Sequence, residues 1–260
     1  MKKFGFTLAE VLLSMAIVGI VAAATVPSLS INAKKQGFAT LLSTQVSDLE
    51  GAFGRMMLAE NVADLTETRF FQDLQAGQSA RAFETGNVAG DPYEPLGTYI
   101  NITGPSANGV LDSYNGKRFT RIKSNDRVEQ IRNTVNASTV TKNGAVIMIY
   151  TNPVERNLAA FGCPTNSRAG FLYIDVNGAN SPNKAGIDVF MFTLGGDGKL
   201  YPAGSRFSEI LTNGDDRIRG SRRIANSCGR AGEAGYNNSG YGTGVGCTSR
   251  LVEDNYRVNY

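Results

Sequence analysis

A single carboxylate, Glu10, stands in an apolar stretch near the start of the chain, and no residue from Val11 to Leu29 is charged. A carboxylate inside an apolar span costs about 3 kcal/mol on membrane-insertion scales, so such a residue is normally paired and functional. The chemistry that this pattern predicts is therefore ion pairing.

The composition excludes the commonest catalytic and metal chemistries. The chain of 260 residues contains no His, which removes Ser-His-Asp catalysis, Cys-His catalysis and His-ligated metals. Its three cysteines, Cys163, Cys228 and Cys247, form no CxxC pair, so a zinc site is not predicted. The formal net charge of +3 is too small to argue for nucleic acid by itself. The length allows one domain with an extension, or two small domains.

The element that positions Glu10 is an apolar segment of membrane length. Lys2 and Lys3 precede about 20 apolar residues, which at 1.5 Å per residue cross a hydrocarbon core of about 30 Å. The lysines indicate that this end stays cytoplasmic and that the rest of the chain lies outside. A cleaved secretory signal, with the alanines at 22–24 near the cleavage point, and a plain single-span anchor both fit this pattern. Neither of them explains Glu10.

The segment Gly5-Phe6-Thr7-Leu8-Ala9-Glu10 resembles the cleavage and methylation motif of type IV pilins and type II secretion pseudopilins. The resemblance implies that a prepilin peptidase cleaves between Gly5 and Phe6, on the cytoplasmic side of the membrane. Phe6 would become the N-methylated first residue and Glu10 the acidic fifth residue of the mature chain. Unlike the apolar part of a secretory signal, this apolar segment would be kept.

The same resemblance implies a structural subunit of a type IV pilus or type II secretion pseudopilus, and not an enzyme. Its partners would be the peptidase, sister pilins in a helical filament, and an assembly platform in the bacterial inner membrane. The subunit would cross that membrane once, with a cytoplasmic N-terminus and a periplasmic head, before it enters the filament. The motif does not distinguish a major pilin, a minor pilin and a pseudopilin. The alternative function is an exported or membrane-anchored binding module.

Cleavage also supplies a partner for the carboxylate. It leaves a positive amine at Phe6, and Glu10 lies one helical turn away on the same face. In a fibre core, the amine of one subunit and Glu10 of its neighbour would neutralise each other. Because an unpaired buried charge costs several kcal/mol, a subunit in the wrong register is penalised. Glu10 is therefore expected to select register.

The apolar pattern continues beyond the span at spacings of three and four, which predicts an amphipathic helix. One helix from about Phe6 to Ala59 would be roughly 80 Å long. Pro27 is expected to bend it, and stands where many members of the family carry a helix-bending proline. The predicted organisation is a leader at 1–5, a transmembrane and assembly half-helix at 6–30, and an amphipathic half-helix plus globular pilin head at 31–260.

Short apolar runs joined by turns predict an antiparallel sheet of about four strands after this helix. The runs are GAVIMIYT, GFLYIDVNG and DVFMFTLGGDGKLYP. DLTETRFFQDLQA predicts a second short helix, and RVEQIRNTVNAS fits a short helix or a strand. The Gly-rich residues after 217 predict a loop-rich C-terminal region. The predicted fold class is α+β with a long N-terminal helix packed on the sheet, an architecture that the pilin resemblance also implies.

The three cysteines leave the disulfide pairing open. Cys228 and Cys247 bracket 18 residues, and closing such a loop contributes about 3 kcal/mol in the chain-entropy model. Pilins often carry a C-terminal disulfide-bounded loop, so the resemblance implies the Cys228–Cys247 bridge. Cys163 paired with either of the others, or three free thiols, are the alternatives.

Two further clusters have a functional and a plain interpretation. Asp175, Asn177 and Asp188 offer oxygen ligands of the kind calcium prefers, and some pseudopilins hold calcium near their sheet, but calcium takes six to eight oxygens. A hairpin turn built on Asn-Gly is the plain interpretation.

The arginines between Arg217 and Arg230, with tyrosines nearby, could contact DNA. The near-neutral net charge instead favours a solvated face and no nucleic-acid partner.

Overall fold

The computed structural model describes most of the long helix and much of the head. The described residues are 7–84, 94–105, 118–120, 127–130, 137–155, 167–178, 180–205, 228 and 246–258. Within these ranges the chain forms a long N-terminal helix, a six-stranded antiparallel sheet, a separate two-stranded pair and several short helices. The α+β class predicted from the sequence is confirmed.

The first element, α1, Leu8–Glu60, is one helix of 53 residues, as the apolar periodicity predicts. At 1.5 Å per residue it is about 80 Å long. It ends at Asn61, which adopts a left-handed conformation with φ 53° and donates its N–H to the Leu58 carbonyl at 3.2 Å. Asn tolerates this conformation better than other non-glycine residues, and it commonly ends helices. The helix continues through Pro27 without interruption, and a bend there stays a prediction.

Short helices follow α1 and close the chain. They are a 3₁₀ turn at Leu65–Glu67, α2 at Arg69–Gln75, α3 at Ser79–Ala82, α4 at Leu96–Tyr99 and α5 at Cys247–Glu253. The turn and α2 together confirm the short helix predicted in this region. The Thr68 hydroxyl caps α2 by accepting the Phe71 N–H at 3.3 Å. Its apolar residues Phe70, Phe71 and Leu74 are buried, so this face of α2 joins the core.

Among the described residues six strands form the main sheet, two more than predicted, and two further strands pair separately. In chain order the eight strands are β1 at Ile102–Pro105, β2 at Arg118–Thr120, β3 at Arg127–Gln130, β4 at Ala137–Thr141, β5 at Val146–Glu155, β6 at Ser167–Asp175, β7 at Val189–Gly195 and β8 at Leu200–Pro202. The order in the main sheet is β1-β4-β5-β6-β7-β8, with every neighbouring pair antiparallel. β2 and β3 pair separately, so part of RVEQIRNTVNAS is a strand.

The core lies between α1 and one face of this sheet. Alternate residues of the central strands face α1: Ile147 and Ile149 on β5, Leu172 and Ile174 on β6, and Phe190, Phe192 and Leu194 on β7. The residues between them form a second buried cluster on the opposite face, which includes Met148, Phe171 and Met191. All nine residues of β6 are buried. The central strands are therefore buried on both faces, which explains why β5, β6 and β7 contain continuous apolar runs.

A carboxylate on α1 also binds the sheet edge. Glu50 accepts the Leu200 backbone N–H at 2.8 Å, and its other oxygen lies 3.7 Å from the Lys199 ammonium. β8 is the last strand of the main sheet among the described residues, so this side chain satisfies one of the edge donors. The head and the second half of α1 are thus joined by polar contacts as well as by the apolar core.

Candidate functional site

The first turn of α1 is closed by a capping box between Thr7 and Glu10. Thr7 donates its backbone N–H and its hydroxyl to Glu10 Oε2, at 2.9 and 2.8 Å. In return the Thr7 hydroxyl accepts the Glu10 N–H at 3.3 Å. The T-x-x-E spacing is a helix-start signature, so this spacing in the sequence is the signal that predicts the capping role of Thr7. The cap holds the carboxylate at the positive end of the helix dipole.

The predicted cleavage residues, Gly5 and Phe6, lie outside the described residues. Thr7, the residue directly after them, is the first described residue. The Glu10 side chain is exposed. Among the described residues, only Thr7 hydrogen bonds to the Glu10 side chain. Both Thr7 bonds go to Glu10 Oε2, so the other carboxylate oxygen can still accept a hydrogen bond from a second partner.

The N-terminal half of α1 exposes its apolar side chains on every side. The segment Leu8–Thr25 has no buried residue and is long and apolar enough to cross a membrane. Its nine large apolar side chains are each exposed by 38 to 78%: Leu8, Val11, Leu12, Leu13, Met15, Ile17, Val18, Ile20 and Val21. Leaving nine such side chains in water costs on the order of 10–20 kcal/mol. This half of the helix therefore requires lipid or other apolar helices around it.

Two hydroxyl groups in this half are satisfied within the helix itself. Ser14 donates its hydroxyl to the Val11 carbonyl, and Thr25 donates to the Val21 carbonyl, each at 2.9 Å. Such bonds to the preceding turn leave neither of these two hydroxyl donors exposed to an apolar medium. The signal for these contacts in the sequence is a hydroxyl residue three or four positions after a helical carbonyl.

In the second half of α1, burial in the head begins at Ala39. From there one face of the helix is fully buried in the head, with exposed fractions near zero at Leu42, Leu49, Phe53 and Met56. The amphipathic stripe predicted from the sequence is thus the face that meets the sheet. One continuous helix joins an uncovered apolar segment to a folded head.

The structure joins Cys228 and Cys247 by a disulfide, with their Cα atoms 4.8 Å apart. This is the pairing that the pilin resemblance implies. Cys247 is the first residue of α5, and Arg250 of the same helix donates to the Cys228 carbonyl at 3.0 Å. Cys163 and the arginines from Arg217 to Arg230 lie outside the described residues.

The proposed calcium ligands lie at the end of β6 and in the loop that leads to β7, and the carboxylates of Asp175 and Asp188 accept hydrogen bonds from the loop backbone. Both carboxylate oxygens of Asp188 accept backbone N–H groups, from Lys184 at 2.6 Å and Asn183 at 2.8 Å. Asp175 accepts the Asn177 N–H at 3.3 Å. Burial raises the pKa of the Asp188 carboxyl, and these hydrogen bonds oppose the rise.

The described donor set does not fit calcium well. One buried oxygen, Asn177 Oδ1, has no hydrogen-bond partner in the described part of the chain. No group of three or more acidic, His or Cys side chains converges there among the described residues. Calcium prefers six to eight oxygens, so the loop is better explained as a hairpin whose carboxylates bind its own backbone.

The comparisons with known proteins concern the N-terminal segment. A family model for the prokaryotic N-terminal methylation motif matches residues 1–26. Comparison with curated proteins and with solved structures found no match. The matched residues contain Glu10 and most of the uncovered apolar half of α1, and together these features identify a membrane-anchored, exported protein. The chain therefore carries the N-terminal methylation motif that is the signature of type IV pilins and pseudopilins.

Proposed function

We propose that the chain is a prepilin, cleaved between Gly5 and Phe6 and then assembled as a structural subunit of a type IV pilus or type II secretion pseudopilus. The observation that carries this proposal is the division of α1. One continuous helix has an uncovered apolar half, which bears the methylation motif, and a second half buried in the head. Such a subunit can exchange lipid for the helices of sister subunits without unfolding its head.

Assembly is proposed to use three kinds of partner. Prepilin peptidase removes the leader, a platform in the inner membrane receives the subunit, and sister pilins surround its helix in the filament. The subunit waits in the membrane with a cytoplasmic N-terminus and a periplasmic head. Head-to-tail contacts of one kind repeat along an open helical fibre. The function is therefore structural and not catalytic.

The proposed role of Glu10 is to pair with the N-terminal amine of a neighbouring subunit. Inside an apolar fibre core the carboxylate must be neutralised, because an unpaired buried charge costs several kcal/mol. Thr7 bonds only one of its oxygens, as described above. A neighbour's amine at the other oxygen would complete the pair, and only the correct axial register brings the two together.

Two variants separate the charge of Glu10 from its capping role. Glu10→Gln keeps an oxygen that can accept from Thr7 but removes the charge, whereas Glu10→Leu removes both. We expect both variants to insert into the membrane normally and both to be incorporated poorly into fibres, as measured by the amount of subunit in sheared filaments. Normal fibre incorporation of Glu10→Gln would refute the ion-pair mechanism.

The mature N-terminus tests the proposal as a whole. Intact mass and N-terminal sequencing of the protein from native membranes should find methylated Phe6 as the first residue. A chain that starts near Thr25 would instead indicate removal of an ordinary signal peptide. Glu10 would then be lost with the signal, and the head would be an exported binding module.

A further inference from the structure

The C-terminal tail returns to the base of the head and is held there by a side chain of α1. Gln36 donates its amide N–H to the Tyr256 carbonyl at 2.8 Å and accepts the Val258 N–H at 3.2 Å. These two bonds flank Arg257 on the tail in the way that a neighbouring strand would. Tyr256 and Val258 also pack against the apolar core. The tail is thus fixed at the level of Gln36.

The turn that directs the tail to this place uses an unusual backbone. Asn255 and Tyr256 both have left-handed φ values, 52° and 60°. For a bulky residue such as Tyr this conformation is costly and persists only where the surroundings hold it. Here the Tyr256 N–H donates to the Leu251 carbonyl at 2.7 Å, while its own carbonyl accepts from Gln36. The position of Arg257 is therefore built into the fold.

This arrangement brings three cations to one level of the molecule. Lys34 and Arg257 are exposed, Lys35 is half-exposed, and Gln36 holds the tail one residue after the two lysines. None of the three cations forms an ion pair with a carboxylate among the described residues. Two acidic residues stand nearby. Glu253 accepts the Ser249 hydroxyl of its own helix at 2.8 Å, and Asp254 is half-buried.

The level of these cations corresponds to the surface of a bilayer. Lys34 lies about 39 Å along α1 from Leu8, whereas a hydrocarbon core is about 30 Å thick and a whole bilayer about 40–45 Å. Side chains of a helix tilt toward its N-terminus, which here means toward the membrane. The lysine stems can therefore reach back and place their ammonium groups among the headgroups.

We propose that Lys34, Lys35 and Arg257 form a basic collar that binds anionic phospholipid headgroups and seats the head on the outer face of the membrane before assembly. This inference rests on the proposed membrane insertion of α1. A Lys or Arg near an anionic surface favours the bound state about fivefold, so the three charges together favour it roughly a hundredfold. The basic collar sets the height and orientation of a head that the span has already anchored.

The absence of Trp from the chain makes a clean test possible. Single reporters are introduced into the full chain at two exposed positions, Val18→Trp in the middle of the span and Ala33→Trp beside the basic collar. The protein is reconstituted in vesicles of phosphatidylcholine that is brominated near the top of its acyl chains for the Ala33→Trp reporter, and near the ends of its acyl chains for the Val18→Trp reporter. One set of vesicles also contains an equal part of phosphatidylglycerol. Tryptophan lifetimes give the ratio of quenched to unquenched populations.

The inference predicts that phosphatidylglycerol raises the quenched population of the Ala33→Trp reporter. Lys34→Gln, Lys35→Gln and Arg257→Gln should each lower the ratio about fivefold, and high salt should abolish the effect. Lys142→Gln, at an exposed lysine elsewhere on the head, is the charge-matched control and should change nothing. Gln36→Ala frees the tail and should behave as Arg257→Gln does.

Each other outcome overturns the inference in a recognisable way. If Val18→Trp is not quenched in either membrane, insertion of α1 fails, and the proposed function and the basic collar fail with it. If Val18→Trp is quenched but Ala33→Trp does not respond to phosphatidylglycerol, only the basic collar is wrong. If the Gln variants instead lower incorporation into filaments with no change in quenching, the three cations serve a second copy of the chain.

Discussion

Removing one buried leucine from α1 measures how strongly the helix is held by the head. Leu49 is fully buried in the core between α1 and the sheet. The adjacent residue, Glu50, binds the Leu200 N–H and lies near the Lys199 ammonium. These contacts hold the α1 backbone at Leu49 against the start of β8, so the two elements cannot easily move together to fill a cavity. Because a site that cannot collapse retains its cavity, Leu49→Ala should destabilise the head by about 3–5 kcal/mol.

The same helix supplies a matched control. Leu58 is 81% exposed, so Leu58→Ala makes the same chemical change, with the same change in helix propensity, but without a cavity. It should alter the free energy of unfolding by less than about 0.5 kcal/mol. The measurement is urea unfolding of the full chain in detergent, followed by circular dichroism of the head transition. Equal effects at the two positions, or a loss below about 1 kcal/mol at Leu49, would refute the packing described for the second half of α1.

Three further predictions concern the sheet and its loops. A Cβ at Gly170 would overlap the Tyr150 backbone carbonyl, so Gly170→Ala should destabilise the head by about 3 kcal/mol or more. Gly54 has open space on the exposed face of α1, so Gly54→Ala should stabilise the protein by about 0.5–1 kcal/mol. Unfolding curves that rank the two variants in the opposite order would contradict this geometry. The melting temperature should be the same in calcium and in a chelator, because the Asp188 oxygens already accept backbone N–H groups. A rise of about 5–10 °C with calcium would show that the protein has a calcium site and would contradict this interpretation of the loop. A non-reducing mass map should recover a Cys228–Cys247 peptide, and reduction should cost about 3 kcal/mol; a linked peptide that contains Cys163 would reject the pairing.

Local features of the sequence were sufficient where neighbouring residues decide the conformation. The apolar spacing of three and four predicted α1 to within a residue or two of its end, since helical hydrogen bonds and faces depend only on residues one turn apart. Glu10 and the residues around it identified the methylation motif, because that motif is read along a short contiguous segment. The continuous apolar runs of β5, β6 and β7 predicted buried strands for the same local reason.

Tertiary structure decided the features that depend on distant partners. β1 and β4 were not predicted, because their sequences, ITGP and ASTVT, contain no continuous apolar run. They become strands by pairing with each other across the intervening chain and, for β4, with β5. Ser138, Thr139 and Thr141 of β4 are buried, and the sheet satisfies their backbone groups, although the Ser138 hydroxyl has no hydrogen-bond partner among the described residues. A sequence pattern does not reveal which polar segment will find such a partner.

The base of the head shows the same division most clearly. By itself the sequence determined that a membrane-length apolar helix with one carboxylate begins the chain and that two lysines follow it. Only the tertiary structure placed Arg257 at the level of those lysines, because Gln36 binds backbone groups of residues 220 and 222 positions away. Helix periodicity is a local property of the chain, whereas the return of the tail to α1 depends on the packing of the whole sheet between them.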